Sequence, residues 1–526
     1  MRDTVQIIEN LQKENELLKD EKARLENKYT ELELKLKWFE EQHRLHLNKI
    51  YGSSSEKTNP AQLSIFNDAE SEAKPEAPEP TIEEIAYKRK KKQGQRQEML
   101  KDLPVETIEY HLPEEKQNCD CGANLHIMSK EVRKELKIVP AVVSVVEHVQ
   151  YVYSCRDCEK NNTNTTVEIA KMPASAIPKS IASSSAIAYV MNEKFVKGIP
   201  LYRQEQEWQR LGVQISRQTM ANWMIQSSDK WLNLIYNRLK EHLLQKKILH
   251  ADETTLQVLK EPGRNADSNS YMWLYRTGRE DPPIILYDYQ TTRAGKHPAR
   301  FLKNFKGYLH VDGYGGYNLV PEIKLVGCWA HARRYFVEAL KAVPAKKSDT
   351  PTATEEGLAF CNKLFEIERE LHNVTEQERY EGRLEKSHKI IADFKDWLQY
   401  QSTRSAPKTP LGKAVHYCRN QWDKLTAFLL DGRLEIDNNR GERSIKPFVI
   451  GRKNWLFSNT PKGANSSATI YSIVETAKEN SLNPFVYLKY LFDRLPNADI
   501  SDINVLDELM PWSKTLPETC RIIKVM

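Results

Sequence analysis

The sequence predicts a multidomain α/β protein, and three observations carry that reading. Tyr271-Met-Trp-Leu-Tyr-Arg, Pro283-Ile-Ile-Leu-Tyr and Lys324-Leu-Val-Gly-Cys-Trp are short runs rich in β-branched and aromatic residues, which read as strands. Roughly 340 to 430 is charged, with Leu, Ile and Phe at helical spacing, as in Leu364-Phe-Glu-Ile-Glu-Arg-Glu-Leu; it reads as an all-helical insertion. The chain of 526 residues is also too long for one core, and its length suggests about three or four domains.

Bulk composition bounds the class. Hydrophobic residues make up 40% and charged residues 29%, a soluble composition with apolar mass for a large core. A net charge of +6 does not by itself argue for nucleic acid, so local charge matters more. No apolar run reaches the roughly 18 residues of a membrane span, and the charged amino terminus lacks a signal-peptide core. No membrane partner is expected. With eight cysteines, four of them in a metal-like pattern, a reducing cytoplasm is expected.

The elements follow in order. Residues 1–50 repeat Leu11, Leu18, Leu25 and Leu32 every seventh position, extended by Phe39, with Ile8, Asn15, Lys22, Tyr29 and Leu36 on the companion seam. No Pro or Gly interrupts them, so a coiled coil is expected; Asn15 in the seam favours a parallel homodimer in fixed register. The alternative is a long amphipathic helix packed on its own chain. Residues 51–100 form a linker of alternating Glu, Ala and Pro that cannot bury a core. It ends in a basic run containing Lys90 and Lys91, which are candidate phosphate contacts.

Residues 101–172 carry Cys119-x-Cys121 and Cys155-x-x-Cys158 beside turn formers, with Val- and Ile-rich sequence between. Each pair suits half of a tetrahedral structural Zn²⁺ site in a zinc-ribbon-like module. Residues 173–240 read as helix, Gly212 turn, then a helix capped by Ser216, a helix-turn-helix pattern. Arg217, Gln218 and Asn222 would stand at the exposed start of the recognition helix and touch DNA. A plain three-helix unit is the other reading of the same pattern.

The remaining residues hold the chemistry. Leu249-His-Ala-Asp252 and Leu309-His-Val-Asp312 each run an apolar stretch into an Asp, which would carry a carboxylate to the exposed end of a strand. Leu434-Glu-Ile-Asp-Asn-Asn-Arg-Gly-Glu442 places a polar cap before a helix. The Asp252 strand, two further strands, a helix and the Asp312 strand follow the order of a ribonuclease-H-like sheet. Its two parts would span 241–340 and 430–495, around the helical insertion at 341–429 and before a tail at 496–526. Asp252 and Asp312, with a helix-borne glutamate, would make a hard-oxygen cage for two Mg²⁺ (or Mn²⁺) ions. Such a pair suits in-line phosphodiester displacement. The third acid is Glu442 if it lies within the helix, or Glu435 just before it. Arg443, Lys446, Arg452 and Lys453 stand where they would hold DNA phosphates. Trp455 and Phe457 would stack on a strand or fill the core. His331, Arg333 and Arg334 would face the site or coat a helix.

His250-Ala-Asp-Glu-Thr, Val311-Asp-Gly-Tyr-Gly-Gly-Tyr, Gly327-Cys-Trp-Ala-His-Ala-Arg-Arg, Asp437-Asn-Asn-Arg-Gly-Glu-Arg and Gly451-Arg-Lys-Asn-Trp-Leu-Phe together resemble the transposases of the insertion sequence 66 family, nearly end to end. The tail Ile470-Tyr-Ser-Ile-Val-Glu-Thr-Ala-Lys and Asn483-Pro also fits. The resemblance implies a DDE-type transposase that acts with Mg²⁺ on double-stranded DNA, namely the inverted-repeat ends of its element and a target. It also implies companion proteins from the same element. Two departures stand out. Gly441 replaces the usual Ala before Glu442, and the first cysteine pair lacks one spacer residue. Rival readings are a DNA-binding regulator with a degenerate core, a structure-specific nuclease without strand transfer, and a coiled-coil scaffold.

Overall fold

A computed structural model describes residues 142–154, 167–342 and 350–522, with scattered positions between 16 and 40. Ile8, Leu11, Asn15, the linker with Lys90 and Lys91, and Cys119, Cys121, Cys155 and Cys158 lie outside the described residues. Every described position between 16 and 40 is helical and exposed. The seam residues Leu18, Leu25, Tyr29, Leu32, Leu36 and Phe39 are each at least 56% exposed. Strands β1 (Val152–Ser154) and β2 (Val167–Ile169) pair antiparallel.

Helices α1 (Ser184–Phe195), α2 (Leu201–Arg210) and α3 (Arg217–Ser227) follow. Ser183 and Ser216 cap α1 and α3 by accepting the N–H of Ala186 and Thr219, which satisfies donors that a helix start otherwise leaves orphaned. Gly212 turns the chain between α2 and α3 at φ +85°, where a side chain would be strained. A π-helical turn leads into α4 (Asn233–Leu244).

The central sheet has five strands: β3 (Ile248–Gln257), β4 (Asn269–Thr277), β5 (Ile285–Gln290), β6 (Gly307–His310) and β7 (Ile323–Val326). Their spatial order is β5-β4-β3-β6-β7. The β3–β4 and β4–β5 pairs are antiparallel; β3–β6 and β6–β7 are parallel. Helix α5 (Lys296–Phe301) connects β5 to β6. Ile248 through Ala251 are all buried, as a central strand covered on both faces requires, whereas Asp252 to Thr254 are partly exposed.

After β7 the chain enters α6 (Trp329–Leu340) and then a helical region: α7 (Ala353–Glu370), α8 (Glu376–Gly382), α9 (His388–Arg404), α10 (Pro410–Asn420) and α11 (Trp422–Leu425). Its apolar faces, including Leu364, Phe394 and Cys418, close around Trp329 and Phe336 of α6. Capping boxes at Thr352–Glu355 and Thr375–Glu378 start α7 and α8. Then α12 (Asn439–Trp455) lies across β3, and α13 (Pro461–Glu479) packs on β5. Helices α14 (Pro484–Arg494) and α15 (Ile503–Glu508) complete the order. α14 packs on α1. The described chain is thus mixed α/β with a large helical region. Among the described residues no helix is long and apolar enough to cross a membrane.

Candidate active site

Strands β3 and β6 bring two identical patterns together. Leu249-His250-Ala251-Asp252 and Leu309-His310-Val311-Asp312 run parallel, with Leu249 opposite Leu309 and His250 opposite His310. The two imidazoles stack at 4.3 Å with planes 10° apart. Side chains two residues apart share a face of a strand. Asp252 follows His250 on that face, and Asp312, two residues beyond β6, lies near enough for its charge to act on Asp252. The sequence reading placed each Asp at a strand end, and for Asp252 that is corrected. β3 continues to Gln257 because β4 pairs along its whole length. It is the ladder to β6 that stops at His250, which opens the edge of the strand at Asp252.

Glu442 reaches the same place from the first turn of α12. Burial first, then the charges of Glu253, Asp312 and Glu442, push the Asp252 carboxyl well above the usual carboxylate range. The three expected acids therefore share one field. Asp252 and Asp312 each use an oxygen to accept a local backbone N–H, from Glu253 and Tyr314. Among the described residues neither has a cationic nitrogen within 4.0 Å. Glu442 Oε1 is buried without a hydrogen-bond partner. These are hard oxygen donors whose charges act on one another, one of them with an orphaned oxygen, the donor type that a hard divalent cation takes.

Glu435 is engaged elsewhere. Arg440 clamps it with two hydrogen bonds of 2.8 and 3.0 Å, and His250 Nε2 stands 2.9 Å from Oε2. Burial alone would raise this carboxyl, but His250 and Arg440 hold it far below its usual range. The Asp437-Asn-Asn cluster also differs from its expected role. Asn438 is the N-cap residue, yet its side chain makes no cap. It accepts from His250 Nδ1 and donates to the Ala251 carbonyl at 2.8 Å, while its backbone N–H points at Cys328 Sγ. This buried amide fastens α12 to β3. A Cβ at Gly441 would lie 2.9 Å from Asn438 Oδ1, so the glycine leaves room for that fastening.

Two basic side chains stand beside Glu442. His331 Nδ1 and Arg334 each stand 3.6 Å from Glu442, whereas Arg333 turns to Asn362. Lys446 is lowered by burial, with the Glu442 charge opposing; Arg443 and Lys453 are exposed on α12. Arg452 does not match its expected phosphate role. Its guanidinium donates to the Thr254 and Thr255 hydroxyls and the Thr255 carbonyl, and so braces β3. Trp455 packs on Phe448, while Phe457 is exposed. In the recognition-helix position Arg217, Gln218 and Asn222 are all exposed.

Sequence reasoning missed four contributors. Glu253, on the opposite face of β3, binds Arg293 and the Tyr317 hydroxyl and so holds the loop after Asp312 in place. His310 is buried and kept neutral by burial and by His250. From the helical region, Tyr417 packs over Gly313, and Lys424 feels the Asp312 charge while burial lowers its pKa. The repeated Leu-His-x-Asp pattern was a usable signal for the histidines; nothing in the sequence flagged Tyr417 or Lys424. Cys328, buried before α6, has its thiol pushed up to about 12 by burial, against N–H donation from Asn438 and His331.

Comparison with known families agrees along most of the chain. Residues 179–466 match the transposase IS66 family, 472–512 the IS66 C-terminal element, 116–159 the zinc-finger binding domain of transposase IS66, and 38–108 the family described as transposase C of IS166 homeodomain. Two curated relatives come from Sinorhizobium fredii. The uncharacterized protein y4qI is 30% identical over 426 residues, 78% of this chain and 75% of the relative. The uncharacterized protein y4jD is 29% identical over 415 residues, 76% and 78% respectively. The chain belongs to the IS66 family of transposases. The zinc-finger match spans all four cysteines of the proposed module and supports a structural zinc.

Proposed function

We propose that the chain is a DDE-type transposase whose catalytic core is ribonuclease-H-like and whose acids are Asp252, Asp312 and Glu442. The observation that carries the reading is that the charges of Asp312 and Glu442 both act on Asp252. The three carboxylates come from β3, from the turn just after the parallel strand β6 and from one crossing helix, and each of the other two adds to the field that raises Asp252. The strand order, with two antiparallel and two parallel pairings, supports the core assignment.

In this reading the three acids hold two Mg²⁺ or Mn²⁺ ions, which when bound supply Lewis-acid stabilisation to the attacking and leaving oxygens of an in-line displacement. The protein's own groups do the rest. Asn438 and the Glu435–Arg440–His250 cluster fix the angle at which α12 presents Glu442. Arg334, Lys424 and Lys446 hold the negative phosphates around the scissile bond, and Arg443 and Lys453 extend that grip along α12. Hydrolysis of one phosphodiester would free a 3′-hydroxyl, which then attacks a target phosphodiester without a covalent link to protein. Arg217, Gln218 and Asn222, with the basic run at Lys90 and Lys91, would engage the inverted-repeat ends. The exposed apolar seam of the amino-terminal helix would pair two chains, so that two ends are held together.

The test is a cleavage and joining assay on labelled duplexes bearing the element's terminal repeat, with Mg²⁺ present. The reading predicts nicked products with free 3′-hydroxyls and molecules joined to a second duplex. Cleavage without joining would favour a nuclease. Tight end binding without either product would favour a regulator.

A further inference from the structure

Beside the proposed hard-ion centre lies a donor set of different character. Cys328 directly precedes α6, and His331 lies in the first turn of that helix. Glu442 faces both from α12. The Cys328 Sγ, a His331 ring nitrogen and a Glu442 carboxylate oxygen all lie within 4.8 Å of one another. The sulfur is held in place by the Asn438 N–H at 3.2 Å, which is in turn fixed by the fastening of α12 to β3.

The His331–Glu442 pair is incompletely satisfied. Nδ1 and Oε1 stand 3.6 Å apart, too far for a hydrogen bond, and both atoms are buried with no hydrogen-bond partner. Leaving two such atoms unpaired costs free energy. Bonds of about 2.0–2.2 Å to nitrogen and oxygen at a tetrahedral angle give an edge of about 3.4 Å. The observed gap is close to that edge. A thiolate and an imidazole select zinc over magnesium.

We propose that Cys328, His331 and Glu442 form a zinc site separate from the four-cysteine module. It has three protein ligands, which leaves a fourth position to a water or another group. Glu442 is then claimed by two kinds of metal. Zinc held here withdraws the carboxylate from the hard-ion centre and opposes magnesium-dependent cleavage. That regulatory consequence rests on the assignment of Glu442 in the proposed function; the site itself does not.

The test measures bound zinc per full-length chain after equilibration with buffered Zn²⁺ and removal of free metal. Wild type is expected to hold one equivalent more than Cys328→Ser and one more than His331→Gln. Cys361→Ser, which alters another buried thiol, is expected to match wild type. Circular dichroism checks that each variant folds, and His331→Gln, at a partly exposed position, guards against a folding defect in Cys328→Ser. Equal zinc in wild type and both ligand variants would overturn the site, as would zinc retained by His331→Gln and lost only from Cys328→Ser. Asp252→Asn separates the two readings: it is expected to keep this zinc. Zinc kept in a wild-type protein that never cleaves DNA would support this site and sink the proposed function. Zinc lost from Asp252→Asn would overturn the site as drawn.

Discussion

Asp252 illustrates a residue that costs stability in the metal-free protein. Its carboxyl is raised by burial and by three neighbouring acids, so the folded state holds that proton more tightly than the unfolded chain. Such a group loses stability as pH rises past its unfolded value near 3.9. Asp252→Asn is therefore expected to raise the melting temperature in EDTA, with a gain of about 1–2 kcal/mol. Mg²⁺ should stabilise wild type by mass action, about 2.7 kcal/mol at a hundredfold excess over the dissociation constant, and should fail to stabilise Asp312→Asn. Glu435 has the opposite sign. Its depressed carboxyl contributes stability that is present above about pH 4.3 and is lost as pH falls below it. Glu435→Gln leaves Arg440 without its buried partner, so urea unfolding at neutral pH should show a loss of about 3 kcal/mol and a flatter acid dependence than wild type. Lys424→Ala should slow cleavage about tenfold, the equivalent of about 1.4 kcal/mol, with little change in urea midpoint. Asp252 and Asp312 were legible because each ends an apolar run. Lys424 was not, because its place depends on a fold partner more than a hundred residues away.

At the level of elements, local chemistry was read well wherever it stayed local. Ser216 caps the helix that the sequence assigned to it, and Gly212 makes the turn before it. The Asp437-Asn-Asn segment shows where that reading fails. An Asn before a helix ordinarily caps it, but here His250 and the Ala251 carbonyl compete for the side chain and win. Those partners precede it by nearly two hundred residues. Asn438→Ala is expected to cost about 2–3 kcal/mol, because it orphans buried groups on β3. Cleavage should fall further than stability alone explains, since α12 loses the fastening that aims Glu442. Parallel kinetics and urea titration of this variant would separate the two effects. The end of β3 was misjudged for a related reason, since strand length is set by pairing with β4 rather than by the run of apolar residues.

The whole molecule distributes one function over distant pieces of chain. In the proposed site β3 and the turn after β6 supply two acids and α12 the third, while Tyr417 and Lys424 come from the helical region that interrupts them. That region read as a simple insertion in the sequence; its contribution to the site came only with the fold. The amino-terminal seam is exposed where it is described, and the proposed pairing of two chains would bury it. Leu18→Glu with Leu25→Glu should convert a dimer into a monomer in sedimentation experiments, leaving single-end binding in place but abolishing paired-end joining. The central claim is that Glu442, not Glu435, completes the acid triad. Magnesium-dependent cleavage of terminal-repeat DNA by folded Glu442→Gln and Glu435→Gln, side by side, tests it most directly. The account predicts no cleavage from Glu442→Gln at any temperature, and cleavage from Glu435→Gln that recovers as the temperature is lowered. Full cleavage by Glu442→Gln, with none from a folded Glu435→Gln, would contradict it.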